Sequence, residues 1–345
     1  MTPAIINRYK RMRTEWFLRQ TYQYQYAFVG MGQHSLTNLY PVLHYLGVPL
    51  KYICVTSERK AQLIEQKYVG VKATTSLDEI LNDADVKGLF VSASSSAHFS
   101  IVSRILRSGK SLFIEKPPCQ SLEELDALID LQRLYGSPVA MVGLQKRYAP
   151  AIQLLRKRLG KERLVNYDLH YLTGAYPEGN ALLDLYIHPL DLVCHLFGKP
   201  EILACQKVGE SSYLLMLQHP HIVGNLELST AYSWTAAEES LKVCTHSGIY
   251  CLSQMDSLTY EAMPSTILGV PIEKLRPKSK TVEYIYQRNC FVPTLVNNQI
   301  HTQGYFNEIA AFVDAVEGHG DCNLTTLQNI RNYYEVIRKT SPTAE

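Results

Sequence analysis

Apolar positions along the chain follow two regimes. From Tyr24 to about residue 144, short aliphatic runs alternate with stretches in which apolar residues return every three or four positions. "YAFVG", "YICVTS", "GLFVSAS", "SLFIEK" and "VAMVGL" read as buried strands. Between them, residues 35–46, 59–68, 98–109 and 121–135 read as helices, the first with a kink expected at Pro41 and the third ending at Gly109. Strands alternating with helices imply right-handed βαβ units and a parallel sheet. After residue 150 the pattern changes. "RLVNYDLHYL", "ILACQKV", "SYLLMLQ", "NLELSTAYSW", "LKVCTHS" and "IYCLSQM" are strand-like, with "HPHIVG" as a hairpin turn. This predicts an antiparallel sheet of about six strands, preceded by a helix over 181–197 and closed by helices at "NEIAAFVDAV" and "LTTLQNIRNYYEVIRK". The expected fold class is α/β: an N-terminal Rossmann-type doubly wound parallel sheet plus a C-terminal α+β domain with a mainly antiparallel sheet.

Residues 1–23 stand apart. Thr2 and Pro3 form a helix start, cap then first-turn proline. Ile5, Tyr9, Met12 and Trp16 recur at helical spacing, which favours a helix packed on its own domain over a partner-binding arm.

Composition narrows the function. The 345 residues are 46% hydrophobic and 19% charged, with a formal net charge of +2. That charge is too small to imply nucleic acid or a membrane surface. No apolar run approaches the roughly 20 residues of a membrane helix, and the basic start (Arg8, Lys10, Arg11, Arg13) has no apolar region behind it. Eight scattered cysteines form no C-x-x-C pair, so no thiolate metal site is indicated and a reducing, cytoplasmic setting is expected.

The chemistry concentrates at strand ends. "FVGMGQHS" places Gly30 and Gly32 in the first strand-to-helix turn, with Ser35 at the third fingerprint position. Glycine permits both the tight turn and a close backbone approach to a pyrophosphate at the helix N-terminus. The second strand ends in Thr56 and Ser57, followed by Glu58 and Arg59, a pattern that leans toward NADP over NAD. Ser94 ends the third strand with Ser95 and Ser96, and His98 opens the next helix. The strand "SLFIEKPP" delivers Glu115 and Lys116 to the same crevice, ahead of two prolines. A partly desolvated lysine there can act as an acid or base. In "ALLDLYIHPLDLVCHLFG", Asp184, His188 and Asp191 are spaced along one helical face, although Pro189 should break or kink the helix near His188.

A strand–G-x-G–helix, E-K-P at a later strand end and D-x-x-x-H-x-x-D before "LFG" together resemble the Gfo/Idh/MocA oxidoreductases, most closely their MviM-like branch. The resemblance runs over about residues 25–340 and includes "QKRYAPAIQLLRKRL" and "NEIAAFVDAVEG". It implies Lys116, His188 and Asp184 as the catalytic group, with His188 as base, Lys116 polarising the reacting oxygen and Asp184 orienting His188. Gly30, Gly32, Ser35, Thr56, Ser57, Arg59, Ser94, His98 and Glu115 are the expected contacts of NAD or NADP. Arg147 is expected either to hold a substrate carboxylate or phosphate or to make a domain–domain salt bridge, and Asp191 is expected at the substrate. The organisation implied is a helical appendage (1–23), a dinucleotide-binding domain (24–145) and a substrate-binding, oligomerising domain (146–345). The function implied is hydride exchange between nicotinamide and a secondary alcohol of a sugar, polyol or sugar derivative, by a homo-oligomer. Ser94–Ser96 replace the family's Thr-Pro-Asn, and residues 1–23 have no usual counterpart. Two other readings stay open: an NAD-dependent glycosidase of the same fold, and a non-catalytic dinucleotide sensor.

Overall fold

The computed structural model describes residues 3–19, 21–177, 179–275, 281–288, 298–321 and 323–340. The first sheet holds β1 (Gln25–Val29), β2 (Leu50–Cys54), β3 (Lys72–Thr74), β4 (Val86–Val91), β5 (Ser111–Glu115) and β6 (Ala140–Gly143). Every pairing is parallel and the order is β3-β2-β1-β4-β5-β6. Chain direction across the sheet reverses between β1 and β4, so the crevice beyond their carboxyl ends is the switch point where ligands bind such sheets. Side chains alternate between two cores. Phe28, Phe90 and Phe113 point to one side; Ala27, Val29, Val91, Leu112 and Ile114 point to the other.

The cover of the aromatic side comes from far along the chain. The helix Tyr305–Val316 lays Phe312 edge-on against Phe90, with ring centroids 5.0 Å apart. Ile309 and Val313 join the same core. A division at 145/146 is therefore corrected: this late helix completes the first domain, because the phenylalanines of β1, β4 and β5 need an apolar lid. Full burial of each such side chain is worth about 1.5–3 kcal/mol.

The second sheet holds β7 (Leu164–Leu172), β8 (Glu201–Val208), β9 (Ser212–His219), β10 (Ile222–Ser229), β11 (Glu238–Thr245), β12 (Gly248–Ser253), β13 (Ser257–Ala262) and β14 (Val282–Gln287). Its order is β14-β13-β12-β11-β7-β10-β9-β8, antiparallel except for the parallel pair β7–β10. It is eight strands wide, two more than the six expected. The inner face packs on the helix Ile187–Phe197, where Tyr167 and Phe197 stack at 4.6 Å. The outer face exposes Leu203, Leu214 and Met216.

Several local expectations change. The expected helix 181–197 is two helices, Ala181–Asp184 and Ile187–Phe197. In one continuous helix the Pro189 ring would press on the carbonyl of Leu185. The break puts Pro189 in a first turn, and the Leu185 carbonyl accepts the His188 N–H at 3.2 Å instead. The helix after β1 starts as a π-turn, Ser35–Leu39, before Tyr40–Leu46. The last helix runs only over Arg331–Thr340. The N-terminal helix forms over Pro3–Arg19, but Ile5, Tyr9 and Met12 are exposed, so it does not bury that face on its own domain. Thr2 and the Trp16 side chain lie outside the described residues.

Candidate active site

The G-x-G turn is built as its sequence requires. Gly30 has φ +90°, and a Cβ on it would stand 2.3 Å from the Ser92 carbonyl oxygen that ends β4. Gly32 has open space where a Cβ would go. Ser35 is fully buried and bonds Ser92 through their hydroxyls at 3.0 Å, which packs the first helix tightly onto β4. Its hydroxyl is thereby used within the fold, so the Ser35 side chain is corrected from cofactor contact to packing. Thr56, Ser57 and Arg59 are exposed at the tip of β2. The Ser57 hydroxyl caps the helix Glu58–Lys67, and the Glu58 carboxylate accepts from the Thr75 hydroxyl at 2.7 Å. Ser94 is exposed as the N-cap residue of the helix Ser95–Arg107 and makes no side-chain cap bond. His98 is corrected. Its ring is buried, with Nδ1 2.7 Å from the Pro117 carbonyl and Nε2 3.0 Å from that of Ala93. Each ring nitrogen faces a backbone carbonyl and the neutral ring donates to one of them, so His98 ties the β4 exit to the E-K-P turn and does not line the crevice. Burial lowers its pKa.

The E-K-P strand end splits its two charges. Glu115 is buried, with Oε1 3.3 Å from His34 Nε2 on the first helix. Lys116, joined to Pro117 by a cis peptide, is half-buried, and its Nζ donates to the backbone carbonyl of Asp184 at 2.6 Å. That carbonyl is exposed to it because the short helix Ala181–Asp184 ends there and leaves its last carbonyls unpaired. Desolvation lowers the Lys116 pKa and Lys146 adds to the fall, while Glu115 and Asp184 oppose it. His188 is held well below the ordinary histidine value, first by burial and then by the charges of Lys116, Lys146 and His34. The imidazole is therefore neutral, and its Nδ1 is buried without a hydrogen-bond partner among the described residues.

Asp184 is corrected. Its Oδ2 accepts the backbone N–H of Asn180 at 3.0 Å, closing its own short helix. Among the described residues the carboxylate has no hydrogen bond to His188, and the Asp184 contact with Lys116 is made by the backbone carbonyl. Arg147 takes the salt-bridge reading of its two, and Asp191 is corrected from substrate contact to its partner. The Arg147 Nε lies 2.8 Å from Asp191 Oδ2, its Nη2 reaches Oδ1, and further N–H groups bind the carbonyls of Leu324 and Asn329. Both side chains are buried, so this bidentate pair is a strut between segments and offers nothing to a substrate.

What faces the open space was only partly expected. A cavity of about 340 Å³ is lined by His188, Lys146, Glu239, Tyr171 and Tyr305, with Asn38 of the first helix on its rim. Lys146 pairs with Glu239 and lies 4.7 Å over the Tyr171 ring. Gln145 donates to the Tyr305 hydroxyl at 3.2 Å. These residues were missed because Lys146 and Glu239 are 93 positions apart and meet only through the sheet. The signal available was "QKRY" directly after the last parallel strand, of which only the arginine was singled out. Gly304 (φ +98°) brings Tyr305 in, since a Cβ there would collide with the Gln145 carbonyl. Deeper still, Glu308 is fully buried and is pushed well above the carboxylate range by burial and by Glu115, so it keeps its proton.

The fold and crevice are those of a dinucleotide-binding domain, and similarity to known proteins agrees. Residues 24–144 match the model of the oxidoreductase family GFO_IDH_MocA, NAD-binding Rossmann fold. That match covers the dinucleotide-binding part of the chain. A Salmonella typhimurium protein named as an oxidoreductase, YceM, is 27% identical over 66% of this chain and 76% of its own length. Inositol 2-dehydrogenase of Salmonella typhimurium is 23% identical over 57% of this chain, spanning 62% of that relative. The crystal structure of dehydrogenase MviM from Clostridium difficile superposes with a TM-score of 0.75, at 15% identity, over 92% of this chain and 98% of its own. Levoglucosan dehydrogenase in complex with NADH and levoglucosan superposes with a TM-score of 0.75, at 14% identity, over 92% of this chain and 96% of its own. Both superpositions show a shared fold.

Proposed function

We propose that this chain is an NAD(P)-dependent dehydrogenase or reductase acting on a secondary alcohol or ketone of a sugar, polyol or sugar derivative. The observation that carries the reading is a neutral His188 on a polar cavity, with a half-buried Lys116 of lowered pKa whose charge acts on that ring. The crevice suits a dinucleotide. Gly30 leaves the space that the Ser92 carbonyl fills, and the backbone at Gly32 is open to an approaching pyrophosphate. When bound, the nicotinamide supplies the hydride acceptor or donor. His188 takes the proton of the substrate hydroxyl, which its depressed pKa permits at neutral pH. Lys116, tethered by the Asp184 carbonyl, donates to the same oxygen and stabilises charge developing on it. The amides and phenols around the cavity supply hydrogen bonds for a polyhydroxylated body, and Glu239 neutralises Lys146. The inositol and levoglucosan dehydrogenases named above act on molecules of this kind.

NADP is the preferred cofactor in this reading. Thr56, Ser57 and Arg59 lie exposed where the ribose would sit, and the one acid nearby, Glu58, is bonded to Thr75. The outer face of the eight-stranded sheet meets a second copy of this chain, supported by its exposed Leu203, Leu214 and Met216. Incubation with a panel of sugars, polyols and sugar acids, read at the reduced-nicotinamide band, tests the activity. Glycoside release without reduced cofactor would transfer the assignment to the glycosidase reading. No stabilisation by any of the four nicotinamide forms would end both.

A further inference from the structure

We infer that the far pole of the second sheet is a binding site for a phosphate-bearing small molecule, separate from the nucleotide crevice. A cavity there, about 990 Å³ in volume, is lined by Arg156, Arg163, His221 and His246. They come from four separate places: the end of the helix Pro150–Leu159, the approach to β7, the β9–β10 turn and the β11–β12 turn. A cation in the last turn of a helix has an ordinary use, complementing the helix dipole. That accounts for Arg156, along with its neighbours Lys157 and Arg158. It does not account for Arg163, His221 or His246, which lie outside helices and still line the same cavity.

The local acid is occupied elsewhere. Glu162 is the one carboxylate in the lining, and its two oxygens accept the Ser247 hydroxyl at 2.5 Å and the Tyr250 hydroxyl at 2.9 Å. Among the described residues, the ion pairs include none made by Arg156 or Arg163. Two guanidinium groups with planar donor forks, flanked by imidazoles, suit the several oxygens of a phosphate ester. Leu159, Val165 and Leu196 add an apolar wall for the body that carries it. The site is remote from the cavity of His188. From Leu164 to Tyr171 the strand β7 advances about 23 Å at the usual rise. The proposal does not depend on the dehydrogenase reading.

The test is calorimetric titration of the full-length protein with inorganic pyrophosphate. The double variant Arg156→Ala/Arg163→Ala should bind about tenfold or more weakly, since charge-assisted hydrogen bonds are the strong ones. Both side chains are exposed, so the variant should fold, and Arg156→Lys/Arg163→Lys should retain part of the affinity. Arg59→Ala, at the tip of β2, should leave this binding unchanged. Absence of pyrophosphate binding would overturn the proposal. So would loss in Arg59→Ala with the double variant unaffected, which would locate the binding in the nucleotide crevice. Binding of oligoglutamate but not of pyrophosphate would also overturn it, in favour of an acidic protein partner.

Discussion

Two pairs of basic side chains differ in what the fold does with them. Lys146 and Arg147 are each matched to a carboxylate, Glu239 and Asp191, and Arg147 also spends its remaining N–H groups on two carbonyls. Among the described residues, Lys116 and His188 have no carboxylate bound to them: one donates to a carbonyl, and the other keeps an unpartnered ring nitrogen. A satisfied buried charge holds segments together. An incompletely satisfied one has its protonation state tuned by burial and is available to a ligand. The contrast separates struts from chemistry within one layer of the molecule.

The largest expected effect is on the incomplete cluster. His188→Asn and Lys116→Met should each lower turnover about 100 to 10,000-fold, the range for general acid–base groups. Melting temperature and cofactor affinity should change little. Near-wild-type turnover in either variant would remove the distinction between the clusters. Next comes the satisfied cluster. Arg147→Met strands the buried Asp191, which should cost about 3–5 kcal/mol in denaturant unfolding. A loss under about 1 kcal/mol, the scale of an exposed pair, would mean that the strut carries nothing.

Acid should sharpen the same comparison. Burial holds His188 and His98 below the ordinary histidine value and takes His195 down to about 3. With the folded values depressed, the unfolded chain binds more protons on acidification. Stability is then full above about pH 6.5 and falls as pH drops below it. Between pH 6.5 and 5, one such histidine contributes a loss of about 1–2 kcal/mol. Urea unfolding across that range should show it, and His195→Gln should flatten the slope. Stability that rises on acidification would contradict the burial assigned to these rings.

Much of this was legible from residue patterns. The parallel sheet, the G-x-G turn and the convergence of E-K-P on His188 follow from short apolar runs with polar residues at their ends. The misses share one cause: the deciding partner was distant or a local bond won. Asp184 lay at a helical spacing from His188, yet Pro189 broke the helix and the carboxylate bonded Asn180. A salt bridge was one of two readings for Arg147, but the 44-residue separation hid Asp191 as its partner. β3 has three residues, too few for a periodic signal, and the lid helix Tyr305–Val316 lies far in sequence from the sheet it covers.

The smallest expected effect concerns the N-terminal helix. Ile5, Tyr9 and Met12 are exposed, so removal of residues 1–19 should change stability by no more than about 0.5 kcal/mol, as for a surface change. A fall of several degrees in melting temperature would show that this helix is packed.

The most direct measurement is the double-mutant cycle of Lys116 and His188 on kcat/KM for the best substrate, with cofactor affinity measured in parallel. If the two residues act as one proton-transfer unit, Lys116→Met/His188→Asn should lose at most about tenfold more than the worse single variant, since residues acting together are strongly non-additive. Losses that multiply, with cofactor affinity intact, would mean that the two side chains act independently and that the unit described here does not exist.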